Sequence, residues 1–252
     1  MINHRKMLVK YATLLKQVEF FLTDIRIALA FSYIKILADI KGEDFMSELE
    51  NVILQIPESV ANLQLPDPGL RDHYRDEQDR VYWLDTQIDD STLELVKYII
   101  RCNKEDFGKP IEERKRILVM IDSPGGSVEV LGSIIGVIKI SKTPVWTCCY
   151  CTAFSAAADL LACGHKRFAL PMTSMMLHAG SACYMGSQND IEKAKKYFDH
   201  LGKRITDEVN LRTSFDTKFL KKLKTDDMYM TEEEALKHNV IDEIITDVNL
   251  LF

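Results

Sequence analysis

The chain has 252 residues, 46% hydrophobic and 28% charged, with 32 Lys and Arg against 38 Asp and Glu for a net charge of −6. This is the composition of an ordinary globular protein of one large or two small domains with room for a sizeable core, which speaks against disordered and fibrous classes. The acidic balance argues against nucleic acid as the main partner. No segment reads as a membrane span, since the longest stretch without Lys, Arg, Asp or Glu, 168–189, carries Pro171, His178 and two glycines.

The opening MINHRKMLVKYATLLKQ pairs early charges with apolar residues. Lys10, Lys16, Glu19, Asp24 and Arg26 interrupt it before an apolar core forms, so no secretory signal is expected. Residues 5–38 read as one or two helices, with Ile25, Leu29 and Ile36 on no single clean period. Pro57, Pro66 and Pro68, followed by LRDHYRDEQDR, have linker composition over 57–79. The expected organisation is a helical extension and linker over 1–75 and a second domain over 76–252.

From there strands and helices alternate. Val81–Leu84 is a predicted strand, and 91–101 is an amphipathic helix capped by Asp90 or Ser91. The apolar run 117–121 (ILVMI) has the character of a strand buried on both faces, and Gly125–Gly126 lead into a helix over 128–140. Strands are predicted at 144–149, 168–170 and 175–177, and a helix at 155–163. Over 190–212, Ile191, Ala194, Phe198, Leu201 and Ile205 form a narrow apolar stripe among charges, which suits a protruding helix that packs on one neighbour. Thr231 and Glu234 form a capping box for a short helix ending at Asn239, and 240–246 returns to strand. The alternation means an α/β fold with a parallel sheet.

Six cysteines, at 102, 148, 149, 151, 163 and 183, are even in number. Four lie in apolar runs, as buried thiols do, and Cys148, Cys149 and Cys151 lack the spacing and paired histidines of a zinc site. A reducing, cytoplasmic setting with no metal is the expectation.

Three segments can carry chemistry. Asp122-Ser-Pro-Gly-Gly-Ser127 lies between a buried strand and a helix, where two glycines and a helix N-terminus can aim N–H groups at phosphate, carboxylate or an acyl oxyanion. It matches neither G-x-G-x-x-G nor a P-loop, and a plain tight turn needs the same residues. Ser155 ends an apolar run and opens a helix, the place of a nucleophile whose oxyanion meets the next N–H, and equally of an N-cap. His178 closes a short strand, where a core histidine is also at home, and Asp226 and Asp227 precede a strand-like MYM.

Their order is the informative feature: SPGGS, then Ser155, His178 23 residues later, and Asp227 another 49 on. With IDSPGGSV, AFSAAADLLACG, KRFALPMTSMMLH, NDIEKAKKYFDHLGKRI and DDMYMTEEEALKHNVID in that order, residues 80–248 resemble the proteolytic subunit of the Clp protease family, which shares its fold with the crotonases. The resemblance implies a parallel α/β sheet with a handle helix near 190–212. It makes Ser155 the nucleophile, His178 the general base and Asp227 the residue that orients the imidazole, with Asp226 its competitor. Gly126 N–H and Ala156 N–H would form the oxyanion hole. It further implies a serine endopeptidase without metal or organic cofactor, assembled as two stacked seven-membered rings and fed polypeptides by an AAA+ unfoldase ATPase.

Three residues depart from the family's usual pattern: Cys151 replaces glycine, Phe154 a small residue beside the nucleophile, and Asp159 an apolar residue in the following helix. The rival readings are a catalytically impaired structural subunit of such a barrel and a crotonase-type acyl-CoA enzyme.

Overall fold

The computed structural model describes residues 68–251. The one or two helices read from 5–38 and most of the 1–75 extension lie outside the described residues. The first element among the described residues is a helix, α1 (Pro68–Asp79), where linker composition was read. Its charges are used against the adjoining domain: Trp83 Nε1 donates to Asp76 at 3.0 Å, Arg101 to Glu77 at 2.6 Å and Lys115 to Asp79 at 2.9 Å. A run of charges is a linker only if nothing answers them. Here the partners lie 7, 24 and 36 residues on, outside the helix itself.

The sheet is built around β2 (Ile117–Ser123) and β3 (Val145–Phe154). With β1 (Val81–Leu84), β4 (Lys166–Ala169) and β7 (Glu243–Ile244) they make the parallel order β1-β2-β3-β4-β7. The run ILVMI is continuous because both faces are covered. Ile117, Val119 and Ile121 enter the main core under the helices, while Leu118 and Met120 join Val81, Cys148, Phe168, Ile245 and Leu251 on the other face.

Three helices cover the main core: α2 (Leu93–Glu105), α3 (Val128–Ile140) and α4 (Ala156–Ala162). The turn leading to α2 is a 3₁₀ segment, Asp90–Thr92, whose capping box is made by Asp89 and Thr92 rather than by Asp90 or Ser91. Asp89 accepts from Ser91 N at 2.8 Å and Thr92 Oγ1 accepts from Asp89 N at 3.1 Å, so the helical segment starts at Asp90 as 3₁₀, one residue before the predicted start, and its α-type part begins at Leu93. α3 has the predicted bounds because Ser127 caps Val130 N at its start.

β3 is ten residues long and changes partner along its length. Trp146–Cys149 pair with β4, whereas Thr152–Phe154 pair with β5 (Ser174–Leu177). Between them the register against β2 slips, Ile121 facing Cys149 but Ser123 facing Ala153. β6 (Met228–Thr231) then pairs antiparallel with β5, so the far end of β3 carries a small three-stranded branch.

α5 (Gln188–Asn210) spans 23 residues, about 34 Å at ~1.5 Å per residue. Its stripe is buried only at the C-terminal end, at Ile205 and Val209. Gly132 of α3 lets Leu201 in, since a Cβ there would stand 3.3 Å from Leu201 Cδ1. Ile191, Ala194 and Phe198 stay partly exposed on the free half. α6 (Thr217–Lys222) and α7 (Glu232–Lys237) follow, and the predicted Thr231–Glu234 capping box opens α7.

The strand expected over 240–246 shrinks to Glu243–Ile244. Asn239 turns left-handed at φ 54°, Val240 N returns to Ala235 O, and the Asp242 carboxylate is held by the Arg167 guanidinium. Those bonds finish the helix first. All six cysteines are free, with 102, 148, 149 and 163 buried and 151 and 183 exposed. Among the described residues, no helix is long and apolar enough to cross a membrane.

Candidate active site

The site lies where β3 branches. Thr152 donates to Asp122 Oδ1 through both its backbone N, at 3.1 Å, and its Oγ1, at 2.7 Å. Asp122 thereby pins the extra residues of β3 at the slipped register and turns the end of the strand toward β5. This role was not visible in the sequence beyond the position of Asp122 ahead of the SPGG turn.

Ser155 follows as the pivot between β3 and α4, at φ 54° and ψ −125°. An L-residue held there is strained by about 1–3 kcal/mol, and the neighbouring bonds fix it. Ser155 N donates to Met176 O at 2.7 Å, and Ser155 O accepts from Ala158 N at 2.9 Å. Its hydroxyl does not cap α4. Instead Ser155 Oγ and His178 Nε2 stand 2.7 Å apart. His178 reaches the serine because it directly follows β5, the strand next to β3. On its other side His178 Nδ1 lies 3.8 Å from Asp227 Oδ1, which is carried by the residue just before β6. Asp227 is exposed, and Asp226 turns to the neighbouring Thr225 hydroxyl at 3.3 Å.

The glycine turn closes over this pivot. A Cβ on Gly125 would stand 2.5 Å from Phe154 O and 2.8 Å from Ser155 Cβ, and one on Gly126, at φ 149°, would stand 2.1 Å from Ile88 O. Ile88 N donates to Gly125 O and Ser127 N to Ile88 O, whereas Gly126 N–H and Ala156 N–H take part in none of the bonds that tie these turns together. The glycines are therefore required by close approach of backbone to backbone. Gly126→Ala is expected to misplace the turn, at a cost of about 1–3 kcal/mol from overpacking alone. Thermal melting and peptide hydrolysis measured together should both fall, and wild-type values in both would show that the loop has slack.

The sequence that builds this site lies within a match to a known protein family. The family model for Clp protease covers residues 77–248, about two-thirds of the chain. The chain belongs to the Clp protease family. Its fold, a mostly parallel α/β sheet with helices, is that of a Clp-type peptidase, and the matched span contains every element from β1 to β7.

One departure from the Clp pattern has an electrostatic consequence. Asp159 sits in the first turn of α4, and desolvation pushes its carboxyl up to about 7. The raised value means that the folded chain holds a proton that the unfolded chain releases near pH 4, so Asp159 costs stability progressively as pH rises from about 4 to 7 and fully above that. Asp159→Leu is expected to raise the melting temperature by a few degrees at pH 8 and by much less at pH 4. An equal gain at both pH values would mean that packing, not charge, is responsible.

Proposed function

We propose that this Clp-family chain is a serine endopeptidase subunit in which Ser155 attacks the scissile carbonyl, His178 takes and returns the proton, and Asp227 orients the imidazole. The observation that carries the reading is the 2.7 Å approach of Ser155 Oγ to His178 Nε2 at a strained strand–helix pivot. A serine hydroxyl alone is a poor nucleophile, and a base within hydrogen-bond reach is what activates it.

In the forward direction Nε2 accepts the hydroxyl proton as Oγ bonds to the carbonyl carbon. The carbonyl oxygen becomes an oxyanion beside Gly126 N–H and Ala156 N–H, whose fixed dipoles favour it over the neutral carbonyl. The protonated imidazole then gives its proton to the departing amine, leaving an acyl-serine. Water attacks that ester by the same route in reverse order, returning the proton to Ser155. Asp227 Oδ1, 3.8 Å from His178 Nδ1, is the carboxylate on the side of the ring away from the serine, where it meets the charge of the imidazolium.

The assembly belongs to the same proposal. The chain works as a homo-oligomer of two stacked seven-membered rings, with the free half of α5 making the contact between rings and an AAA+ unfoldase delivering unfolded polypeptide.

The pair of adjacent carboxylates tests the mechanism. Asp227→Asn is expected to lower turnover of a fluorogenic peptide by orders of magnitude while leaving folding intact, because the amide favours the wrong imidazole tautomer. Asp226→Asn should be near wild type. The reverse pattern would reassign the third residue, and no loss in either would remove the triad.

A further inference from the structure

Phe154 stands where a bulky residue beside the nucleophile is unexpected, and the structure gives it a partner. Its ring meets Tyr229 edge to face, with centroids 5.8 Å apart and planes at 85°. The two residues are not on adjacent strands. Phe154 is paired with Met176 across β3 and β5, and Met176 with Tyr229 across β5 and β6. The rings thus meet over Met176 and span the whole three-stranded branch.

That span is the one the catalytic groups must hold. His178 directly follows β5, two residues on from Met176, and Asp227 directly precedes β6, two residues before Tyr229. The register places Leu177 opposite Met228, which brings positions 178 and 227 together at the next step. Each member of Ser155, His178 and Asp227 is therefore within two residues of a member of the row Phe154, Met176, Tyr229. β6 is four residues long and pairs only with β5. Met230 anchors one face of it in the core, while Tyr229 on the other face is 61% exposed. Asp227 itself is exposed and 3.8 Å from the ring it would orient, so the lateral position of β6 decides how well it does so.

We infer that Phe154 and Tyr229 are a pair of positioning residues that hold β6, and with it Asp227, at the distance His178 requires. The inference rests on the triad proposed above. The ring contact replaces, between these two side chains, a restraint that the short edge strand lacks. Aromatic pairs of this geometry are worth up to about a tenfold effect beyond their burial, which sets the size of the expected change.

The test is steady-state hydrolysis of a short fluorogenic peptide by the full chain and by Phe154→Ala, Tyr229→Ala and Tyr229→Phe, each repeated with Asp227→Asn. The two alanine variants should lower kcat about 3- to 10-fold with KM nearly unchanged, and Tyr229→Phe, which keeps the ring, should retain kcat. In the Asp227→Asn background the same alanine changes should have no further effect, because the group they position is gone. A KM change at constant kcat would instead make the rings a wall of the substrate site and overturn the inference. Equal losses in both backgrounds would overturn it too, as a general folding effect. Tyr229 is exposed, so its alanine variant keeps the test open if Phe154→Ala fails to fold. If Ser155→Ala still cleaves, the triad has failed; if Ser155→Ala is inert and the alanine variants at 154 and 229 keep full kcat, only this inference has.

Discussion

Ser155→Ala is expected to abolish peptide hydrolysis to the buffer background while leaving the chain folded. The substitution removes one oxygen from a pivot whose surroundings are backbone and small side chains. Ala156, Ala157 and Ala158 are buried, and the strained conformation is fixed by Ser155 N to Met176 O and by Ala158 N to Ser155 O, neither of which uses the hydroxyl. What is lost is the Oγ 2.7 Å from His178, the atom proposed to form the acyl ester. If the proposed triad operates, removal of its serine leaves at most the modest acceleration of an oxyanion hole and substrate binding, several orders below the intact site. Circular dichroism should be unchanged. Hydrolysis surviving within tenfold of wild type would place the nucleophile elsewhere.

Phe198→Asp should have an equally large effect by a different route. Phe198 lies on the free half of α5, partly exposed, touching Tyr197 at 5.2 Å and Tyr184 at 6.0 Å between centroids. Within one chain little depends on it, so the melting temperature of the isolated subunit should move only slightly. If α5 carries the contact between rings, the same position becomes buried in the assembly. An unpaired carboxylate there costs several kcal/mol, about 3–5 by analogy with broken buried pairs, and every symmetric copy bears it. Native mass measurement should then show the wild-type chain as a large assembly and the variant as half of it or less. A variant that keeps the full mass would locate the contact away from this helix.

Much of the fold was readable because its local signals agree with its packing. ILVMI is apolar at every position since both faces of β2 are covered, and Ser127, Thr231 and Glu234 mark helix starts with side-chain bonds that the structure contains. The errors share a cause, which is that distant partners decided the outcome. The charged stretch before Arg80 is helix because Trp83, Arg101 and Lys115 answer its carboxylates. The last strand is short because Arg167 takes Asp242 and Ala235 takes Val240 N. The same holds for the site. The order of Ser155, His178 and Asp227 was legible only through a family resemblance, since separations of that length are closed by the adjacency of β3, β5 and β6. No periodicity reports that adjacency. Nor does a sequence show that Ser155 adopts a positive φ without a neighbouring glycine, or that Asp122 pins the bulge that aims it.

The most direct measurement is covalent labelling of the full chain with a fluorophosphonate, followed by proteolysis and mass mapping of the adduct. The reagent reports an activated serine, not a folded one. One phosphonyl group per chain on the peptide containing Ser155 is expected, lost in His178→Ala even though the serine is still present. A folded, assembled chain that takes no label at Ser155, or takes it equally well without His178, would contradict the account.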